Sequence, residues 1–333
     1  MLTAKTTLTP QALLRGVFCV VIPLLFCSCQ KDKKETPTWQ GSPQQEQVEP
    51  STPPRAKTVA PKGEETVLMV YNLRNYLNMP RGAKEHDTLQ PKPEHEISAL
   101  VNNIIKVRPH LLGVCEVGSL EDLKDLQSRL SSRGLIYPHM HLTSGSDTRR
   151  KLGILSQHSL TKHPTPDLSY QLDGHTHQVL RGILDVSISL NSGDIRLLGV
   201  HLKSKRPNNY WDQALVRRHE AQVLRNHIDK ILSESNNKLL VYGDLNDTKQ
   251  SSTIRCIRSG SPSSQNLRII DFRASDGSRW THYWEHADVY SRFDYAFASP
   301  SMSSSLVREK CSILDIKKDD PASDHRPLVL TFR

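Results

Sequence analysis

From residue 66 to the C-terminus, short apolar runs alternate with amphipathic stretches. Apolar residues at helical spacing predict helices at 94–107, 120–130 and 210–232, of which the last is the longest. Apolar runs bounded by turn residues predict strands at 67–71, 111–117, 152–155, 179–190, 195–202, 238–242, 293–298 and 328–332. Because hairpin-like neighbours occur beside strand–helix–strand units, the pattern favours a mixed-sheet sandwich with outer helices over a doubly wound parallel sheet.

The N-terminal segment has the features of an export signal. A basic start is followed by an apolar run at 17–26, which is too short to span a bilayer but typical of a secretory signal peptide. The run ends at Ser28-Cys29, which resembles a bacterial lipobox and predicts a signal peptide at 1–28 with lipid attached to Cys29. The alternatives are an ordinary signal peptide cut nearby and a short membrane anchor. Two or three acyl chains hold a protein stably on a membrane, so we expect an extracytoplasmic, bacterial cell-envelope lipoprotein.

Residues 29–65 predict a disordered tether in front of one domain at 66–333. The tether is rich in Pro, Gln, Thr and Lys, and it cannot bury enough apolar surface to offset its ordering entropy. Residues 66–333 keep 36 of the 44 basic and 29 of the 35 acidic residues, a net charge of +7. A basic domain favours an anionic partner such as nucleic acid, phospholipid headgroups or sugar phosphates, without choosing among them.

Three of the six cysteines, Cys115, Cys256 and Cys311, fall in this domain. A Cys256–Cys311 bridge is compatible with an oxidising compartment, and Cys115 lies in an apolar run typical of a buried thiol. Neither the residue types nor their spacing predicts a zinc site.

Polar residues follow the predicted strands at the points where the strands end. Taken singly, each is explained as a turn or surface residue. Together they place groups that bind hard cations or exchange protons at six strand ends. The residues are Asn72, Glu116, His201, Asp244, Asn246, Asp294, Asp324 and His325.

These motifs, in their order along the chain, resemble those of the endonuclease/exonuclease/phosphatase superfamily, which has the deoxyribonuclease I-like fold. The matching segments are Tyr71-Asn72-Leu73-Arg74, Val114-Cys115-Glu116-Val117, Gly199-Val200-His201-Leu202-Lys203-Ser204, Gly243-Asp244-Leu245-Asn246, Arg292-Phe293-Asp294-Tyr295 and Ser323-Asp324-His325-Arg326-Pro327-Leu328. They extend across the whole predicted domain. The resemblance implies an α/β fold, a four-layer α/β/β/α sandwich, with the active site at one edge of the packed sheets.

The resemblance also implies a divalent-metal site. Glu116, helped by Asn72, would hold Mg²⁺ or Mn²⁺ through oxygen ligands. The ion would polarise the phosphate and stabilise charge in the transition state. Asp244 would orient or deprotonate the attacking water, and Asn246 would hydrogen-bond the phosphate oxygens.

Two histidines are implied as general acid–base residues and phosphate donors. An imidazole suits this role because its unperturbed pKa of about 6.5 lets it exchange protons near neutrality. A carboxylate at the other ring nitrogen fixes the tautomer. The implied pairs are His325 with Asp324 and His201 with Asp294.

Two details place the chain within the superfamily. His201 in His-Leu-Lys-Ser is similar to the deoxyribonuclease I, sphingomyelinase and inositol-phosphatase branches, and Arg74 follows Asn72 as in deoxyribonuclease I. Gly118 stands where deoxyribonuclease I has an arginine that enters the DNA minor groove, so binding in a double-strand groove is not implied.

Basic residues near the motifs are candidates for substrate binding. Lys203 and Lys205 follow His201 directly and are placed to meet phosphates that flank the scissile one. Arg181 opens a predicted strand and corresponds to a phosphate-binding arginine of the family. For all three residues the alternative is a solvated loop.

The sequence therefore predicts a metal-dependent phosphoesterase, an extracytoplasmic nuclease or phosphodiesterase that hydrolyses nucleic acid. The first alternative is a phosphatase or phospholipase C-like enzyme acting on sugar phosphates or lipid headgroups. The second is a surface binding module with a vestigial site. No oligomerisation surface is evident, so we expect a monomer attached to the membrane only through its lipid anchor.

Overall fold

A computed structural model describes residues 64–81, 88–207, 210–234 and 237–333. The predicted signal peptide, Cys29 and nearly all of the tether lie outside the described residues. In the part of the chain that is described, no helix is both long enough and apolar enough to cross a membrane.

Strands and helices alternate along the described residues. The strands in chain order are β1 (Thr66–Tyr76), β2 (Met79–Pro80), β3 (Leu89–Gln90), β4 (Leu111–Val117), β5 (His139–Leu142), β6 (Lys151–Ser156), β7 (Thr161–Lys162), β8 (Ser169–Leu172), β9 (His175–Gln178), β10 (Ile183–Leu190), β11 (Gly193–His201), β12 (Lys238–Asp244), β13 (Arg268–Ile269), β14 (His282–Trp284), β15 (Val289–Ser291), β16 (Asp294–Ala298), β17 (Ser312–Ile313) and β18 (Leu328–Phe332). The α-helices are α1 (Glu94–Val107), α2 (Leu120–Ser131), α3 (Gln213–Glu234), α4 (Ser252–Arg258) and α5 (Pro300–Ser303).

Two six-stranded mixed sheets form the centre of the fold. The first has the order β17-β18-β1-β4-β6-β5, and the second has the order β13-β16-β12-β11-β10-β7. Three two-stranded hairpins, β2-β3, β8-β9 and β14-β15, project from them. In each large sheet the central strands pair in parallel with one neighbour and antiparallel with the other, so both sheets are mixed as predicted.

Side chains of the central strands alternate between two apolar layers. On β1, Leu68 and Val70 pack between the two sheets, whereas Met69 and Tyr71 pack against α1 and α2. A third apolar layer lies between the second sheet, α3 and α4. Each such side chain, once fully buried, contributes about 1.5–3 kcal/mol through apolar burial. Three apolar layers separate four structural layers, which confirms the α/β/β/α sandwich.

The helices follow the apolar stripes read from the sequence. Helix α1 has the predicted bounds, and α2 begins with a capping box in which Ser119 and Asp122 each accept a hydrogen bond from the other's backbone N–H. Helix α3 begins at Gln213, three residues after the predicted start.

The predicted strand at 179–190 is wrong in its first part, because the regular strand begins only at Ile183. The Gly182 N–H donates to the Val179 carbonyl, and Gly182 adopts a φ of 71° that favours glycine. A turn therefore precedes β10.

The three cysteines in the described residues are free and buried. Cys256 belongs to the apolar layer below α3 and α4, whereas Cys311 belongs to the layer between the sheets. The suggested Cys256–Cys311 bridge is therefore absent, because the two thiols lie in different apolar layers. Cys115 is buried as expected, and burial raises the pKa of its thiol.

A buried carboxylate on β10 makes stability depend on pH. Asp185 accepts two hydrogen bonds from Arg196, at 2.8 and 2.7 Å, and one from His227 Nε2 at 2.7 Å. Burial alone would raise the pKa of Asp185, but the His227 and Arg196 hydrogen bonds outweigh burial and lower it. A lowered carboxyl pKa stabilises the fold above the unfolded-state pKa, and that stabilisation is lost as the pH falls through the folded-state pKa.

Replacing Asp185 with asparagine is accordingly expected to lower the free energy of unfolding at pH 7 by about 2–3 kcal/mol, because the Arg196 guanidinium loses its charged acceptor and the His227 ring loses a carboxylate partner. Urea denaturation at pH 7 and near pH 3 measures this. The difference between the wild-type protein and Asp185→Asn should shrink in acid. A difference that stays constant between the two pH values would contradict the assignment.

Candidate active site

Three of the predicted site residues form one row across the second sheet. In the backbone register, His201 at the end of β11 pairs with Asp244 at the end of β12, and Asp244 pairs with Asp294 at the start of β16. Because β16 is antiparallel to β12, its beginning meets the end of β12 at the same sheet edge. Asn72 on β1 joins this row from the first sheet, with its Nδ2 donating to Asp244 Oδ2 at 3.0 Å. The site therefore lies where edges of both sheets meet.

The backbone around this edge is conformationally demanding. Gly243 has a φ of 140°, and a Cβ at this position would lie 1.9 Å from the carbonyl oxygen of Val200. Strand β12 therefore requires glycine directly before Asp244. Four non-glycine residues at the edge have a positive φ, between 47° and 63°: Arg74, Asn75, Glu116 and Asn246. Such conformations are uncommon outside glycine and concentrate at functional sites.

Asp244 is at the centre of the site. Its Oδ2 lies 3.5 Å from His201 Nε2 and 3.8 Å from His325 Nε2. Its Oδ1 accepts the backbone N–H of Asn246 at 2.9 Å. Burial raises the pKa of Asp244 to about 7, although the neighbouring charge of His325 opposes the increase. The carboxylate is thus held in one orientation, facing both imidazoles.

His325 forms a close pair with Asp294. Its Nδ1 lies 2.8 Å from Asp294 Oδ2, and both side chains are buried. Burial alone would lower the pKa of His325, but the carboxylates of Asp294 and Asp244 outweigh burial and raise it to about 10. The ring is therefore protonated at neutral pH, so that Nε2 carries a proton towards Asp244.

The predicted pairing of His325 with Asp324, and of His201 with Asp294, is wrong. The Asp324 carboxylate lies 3.8 Å from Arg74 Nε and 3.9 Å from His282 Nε2, at the rim of the site. Strand β16 runs antiparallel to β12 and begins with Asp294 at the same sheet edge. Asp294 therefore reaches His325, and it does not bind His201 as well.

His201 has a different environment from His325. Its side chain is 2% exposed, and its Nδ1 is buried with no partner among the described residues. Burial lowers the pKa of His201 well below its usual value, and the nearby charges of Arg181 and His325 lower it further. The site thus combines a neutral imidazole and a protonated one, on opposite sides of Asp244.

The two predicted metal ligands, Asn72 and Glu116, lie on the neighbouring parallel strands β1 and β4. Glu116 Oε2 accepts the backbone N–H of Asn75 at 2.9 Å, whereas Oε1 is 3.9 Å from His201 Nε2, too far for a hydrogen bond. The Asn72 Oδ1 accepts the Arg74 N–H at 3.0 Å and has a second lone pair. Within the described ranges, no group of three or more His, Cys, Asp or Glu side chains is arranged to hold a metal ion. One carboxylate and one amide oxygen fit Mg²⁺, which retains several waters when bound by proteins.

Asn246 joins the strand ends of β11 and β12. Its Nδ2 donates to the Leu202 carbonyl at 3.0 Å and to Asp244 Oδ2 at 3.3 Å. Both amide protons are engaged inside the protein. A hydrogen bond from Asn246 to a phosphate would replace one of these two contacts.

Arg181 is buried beside His201 and does not lie in a solvated loop. Its Nε forms an ion pair with Asp147 Oδ2 at 3.1 Å, and its Nη1 donates to the Leu202 carbonyl at 3.4 Å. Asp147 therefore holds the guanidinium against the segment that follows His201. Its positive charge faces the site, but its hydrogen bonds are made within the protein.

Lys203 and Lys205 lie at the rim of the site. The backbone N–H of Lys203 donates to Glu220 Oε2 at 2.6 Å, which fixes the loop after His201. The ammonium of Lys205 lies 3.2 Å from Asp247 Oδ1 and 5.4 Å from the ring centre of Phe293. The loop that carries both lysines is thus anchored by two buried acids, Glu220 and Asp247.

Two residues near the site were not predicted. Arg150 Nε donates to Asn75 Oδ1 at 2.8 Å and lies 3.9 Å from Glu116 Oε2. The ring of His282 is centred 4.8 Å from that of His325. Arg150 directly precedes β6, which begins opposite the end of β4, so its position could have been inferred from an antiparallel pairing of these two strands.

Comparison with known proteins agrees with this geometry. A sequence model of the "Endonuclease/Exonuclease/phosphatase family" matches residues 69–325, which is most of the chain. The chain belongs to the endonuclease/exonuclease/phosphatase family. It is therefore an enzyme of a metal-dependent phosphoesterase family. No curated protein matches the chain in sequence.

Several solved structures share the fold of this chain. Truncated TDP2 from Caenorhabditis elegans is 16% identical with a TM-score of 0.54, covering 80% of this chain and 97% of that chain. The human Nocturnin catalytic domain is 16% identical with a TM-score of 0.53, covering 81% and 94%. A family protein from Leptotrichia buccalis is 13% identical with a TM-score of 0.55, covering 80% and 99%. At these identities the likeness concerns the fold alone.

Proposed function

We propose that the chain is a Mg²⁺- or Mn²⁺-dependent phosphodiesterase that hydrolyses nucleic acid outside the cytoplasm. The observation that carries the proposal is the position of Asp244, whose Oδ2 lies within 3.8 Å of the Nε2 atoms of both His201 and His325. This arrangement places a proton acceptor and two imidazoles around one point, which is suited to general acid–base catalysis of phosphate ester hydrolysis.

In this proposal each side chain of the site has its own role. Asp244 orients the attacking water and accepts its proton. As the water oxygen bonds to phosphorus, the ester P–O bond breaks, and His325, protonated and held by Asp294, gives its Nε2 proton to the leaving oxygen. His201 lies on the other side of the phosphate. Glu116 and Asn72 would hold the divalent ion, which when bound polarises the phosphate and stabilises its negative charge.

The basic surroundings support an extended polyanion as substrate. Arg150, Arg181 and Lys203 lie near His201, whereas Lys205 lies beside Phe293, the residue before Asp294. A single phosphate needs fewer cations than this. The successive phosphates of a nucleic acid strand would meet Lys203 and Lys205, while the buried Arg181 would contribute only its charge.

Incubation of the full-length chain in detergent with different phosphate esters tests the proposal. The substrates are plasmid DNA, single-stranded DNA, RNA, sphingomyelin and inositol phosphates, each with Mg²⁺ and with EDTA. We expect cleavage of nucleic acid that EDTA abolishes. Turnover of only lipid or sugar phosphates would overturn the choice of substrate, and the absence of any metal-dependent turnover would favour a binding module.

The metal site gives a separate prediction. Glu116→Gln is expected to raise the Mg²⁺ concentration for half-maximal activity by at least about tenfold, because the only carboxylate assigned to the ion loses its charge. Mg²⁺ should also raise the Tm of the wild-type protein more than that of the variant. Glu121→Gln, on the exposed surface of α2, is the control. An unchanged Mg²⁺ dependence in Glu116→Gln would contradict the assignment.

Membrane attachment through Cys29 is part of the same proposal and rests on the sequence alone. Cys29→Ala is expected to move the protein from the membrane fraction to the soluble fraction and to abolish labelling by radioactive palmitate. A variant that is still labelled would show that the lipid is attached elsewhere.

A further inference from the structure

The hairpin β14-β15 is joined directly to the site. The Tyr283 N–H donates to the Asp324 carbonyl at 2.9 Å, and the Arg326 N–H donates to the Thr281 carbonyl at 2.7 Å. At the base of the hairpin, Thr281 Oγ1 accepts the backbone N–H of Asp294 at 3.1 Å. The hairpin therefore has a fixed position relative to both members of the His325–Asp294 pair.

One face of this hairpin is filled by its own aromatic cluster. Tyr283 and Tyr290 pair across the strands with ring centres 4.7 Å apart, and Trp280 contacts Tyr290 at 5.0 Å. The guanidinium of Arg326 lies 3.6 Å from the ring centre of Trp280, and the ammonium of Lys318 lies 5.2 Å from that of Tyr283. These contacts stabilise the conformation of the hairpin from the face that carries Tyr283 and Tyr290.

The opposite face begins at the site and continues along the hairpin towards its tip. Side chains alternate along a strand, so His282 and Trp284 share this face, together with Val289, which is paired with Trp284. His282 contacts His325, whereas Trp284 is 54% exposed and no ring or cation stacks on it among the described residues. Two residues along a strand correspond to about 7 Å, roughly the reach from a phosphate to the base of its own nucleotide.

We propose that the hairpin His282–Ser291 is a base-binding platform, on which Trp284 stacks an unpaired base of a nucleotide that flanks the scissile phosphate. The inference rests on the proposed nuclease function and specifies its substrate as single-stranded. An exposed indole binds a base through its π-face, and in a duplex that face of the base is covered by its neighbours.

The charges at the hairpin tip disfavour a lipid surface as the ligand. The tip, between the two strands, consists of Glu285-His286-Ala287-Asp288, all exposed. Insertion of the tip into a bilayer would bury two carboxylates, and an anionic leaflet would repel them. The apolar side chains lie instead on the flank between the tip and His325, where a base attached to the bound phosphate reaches them.

Steady-state kinetics of the full-length chain with Mg²⁺ test the platform. The substrates are a single-stranded oligodeoxynucleotide and an abasic sugar–phosphate oligomer of the same length. The variants are Trp284→Ala, Trp284→Phe and, as the control, Ile136→Ala, which removes another exposed apolar side chain. We expect the wild-type KM to be about tenfold lower for the base-containing substrate, in line with the strength of one base–aromatic stack. Trp284→Ala should lose this preference with kcat unchanged, and Trp284→Phe should retain most of it.

The outcomes separate failure of the platform from failure of the proposed function. If the wild-type protein cleaves both oligomers with equal KM, or if Trp284→Ala raises both KM values equally, the platform is wrong and the nuclease stands. If neither oligomer is cleaved but plasmid DNA is, the platform is wrong and the nuclease stands; if no nucleic acid is cleaved, both are wrong. Sedimentation with phosphatidylcholine–phosphatidylglycerol vesicles is the last arm, run on chains carrying Cys29→Ala so that the lipid anchor does not contribute. Vesicle binding that is lost in Trp284→Ala, with an unchanged base preference, would overturn the platform in favour of a lipid surface.

Discussion

Replacing Asp244 with asparagine is expected to lower kcat for phosphodiester hydrolysis by about 10³- to 10⁴-fold. The amide keeps the shape of the side chain and can still accept the backbone N–H of Asn246, which the carboxylate accepts at 2.9 Å. It cannot accept a proton from water, and it presents no negative charge to His325. Initial rates with single-stranded DNA at saturating Mg²⁺ measure the change.

Stability measurements separate this effect from damage to the fold. An amide nitrogen at the Oδ2 position would face the Asn72 Nδ2 donor at 3.0 Å, so Asp244→Asn should unfold at a lower urea concentration than the wild-type protein and yet remain folded in the absence of urea. Asp185→Asn is the matched control, since Asp185 is also buried on the second sheet but lies away from the row of site residues. It should lose stability and keep nearly all of its kcat. An Asp244→Asn protein with more than about a tenth of the wild-type kcat would contradict the role given to Asp244.

Removal of the His325 ring is expected to cause the second large loss of kcat. His325→Ala is expected to lower kcat by about 10²- to 10³-fold, because the protonated imidazole next to the phosphate is lost. Asp294→Asn should lower kcat through the same ring, since the Asp294 carboxylate fixes its Nδ1 proton at 2.8 Å. The double variant should therefore be no slower than His325→Ala alone.

Asp324→Asn is the control for this pair. Asp324 is next to His325 in sequence, but its carboxylate contacts Arg74 and His282 at distances of 3.8 and 3.9 Å. A loss of kcat as large as that of Asp294→Asn would restore Asp324 as the partner of His325. Multiplicative effects of His325→Ala and Asp294→Asn would show that the two side chains act separately.

The fold could be predicted where apolar patterning is strong. Helix α1 and strand β4 match the predicted bounds because their buried faces are long and continuous. The hairpin β14-β15 could not be found in this way, since each strand has three residues and the cross-strand contact of Tyr283 with Tyr290 is tertiary. Helix α4 has seven residues, and its end is held by a hydrogen bond from Arg225 on another helix to the Ile257 carbonyl.

The types of the site residues could be predicted from the motifs, but their partners could not. Neighbouring residues of an extended segment project to opposite sides, so proximity in sequence misdirects the choice of Asp324 for His325. The true partner depends on the antiparallel register of β12 and β16, which no local pattern encodes. Arg150 was missed for a similar reason, because it reaches Glu116 only through the pairing of β6 with β4.

The row His201–Asp244–Asp294 is built into the register of three strands, whereas the hairpin beside it joins the site through a few backbone hydrogen bonds. These two parts of the molecule are therefore free to diverge at different rates. A change in the length or sequence of the hairpin alters which substrate is held and leaves the sheet edge intact. A shift of one residue in β12 would turn Asp244 to the other face and end the chemistry altogether. Evolution of new substrates on this scaffold is thus expected to proceed through the hairpin and the loop after His201, with the strand row kept unchanged.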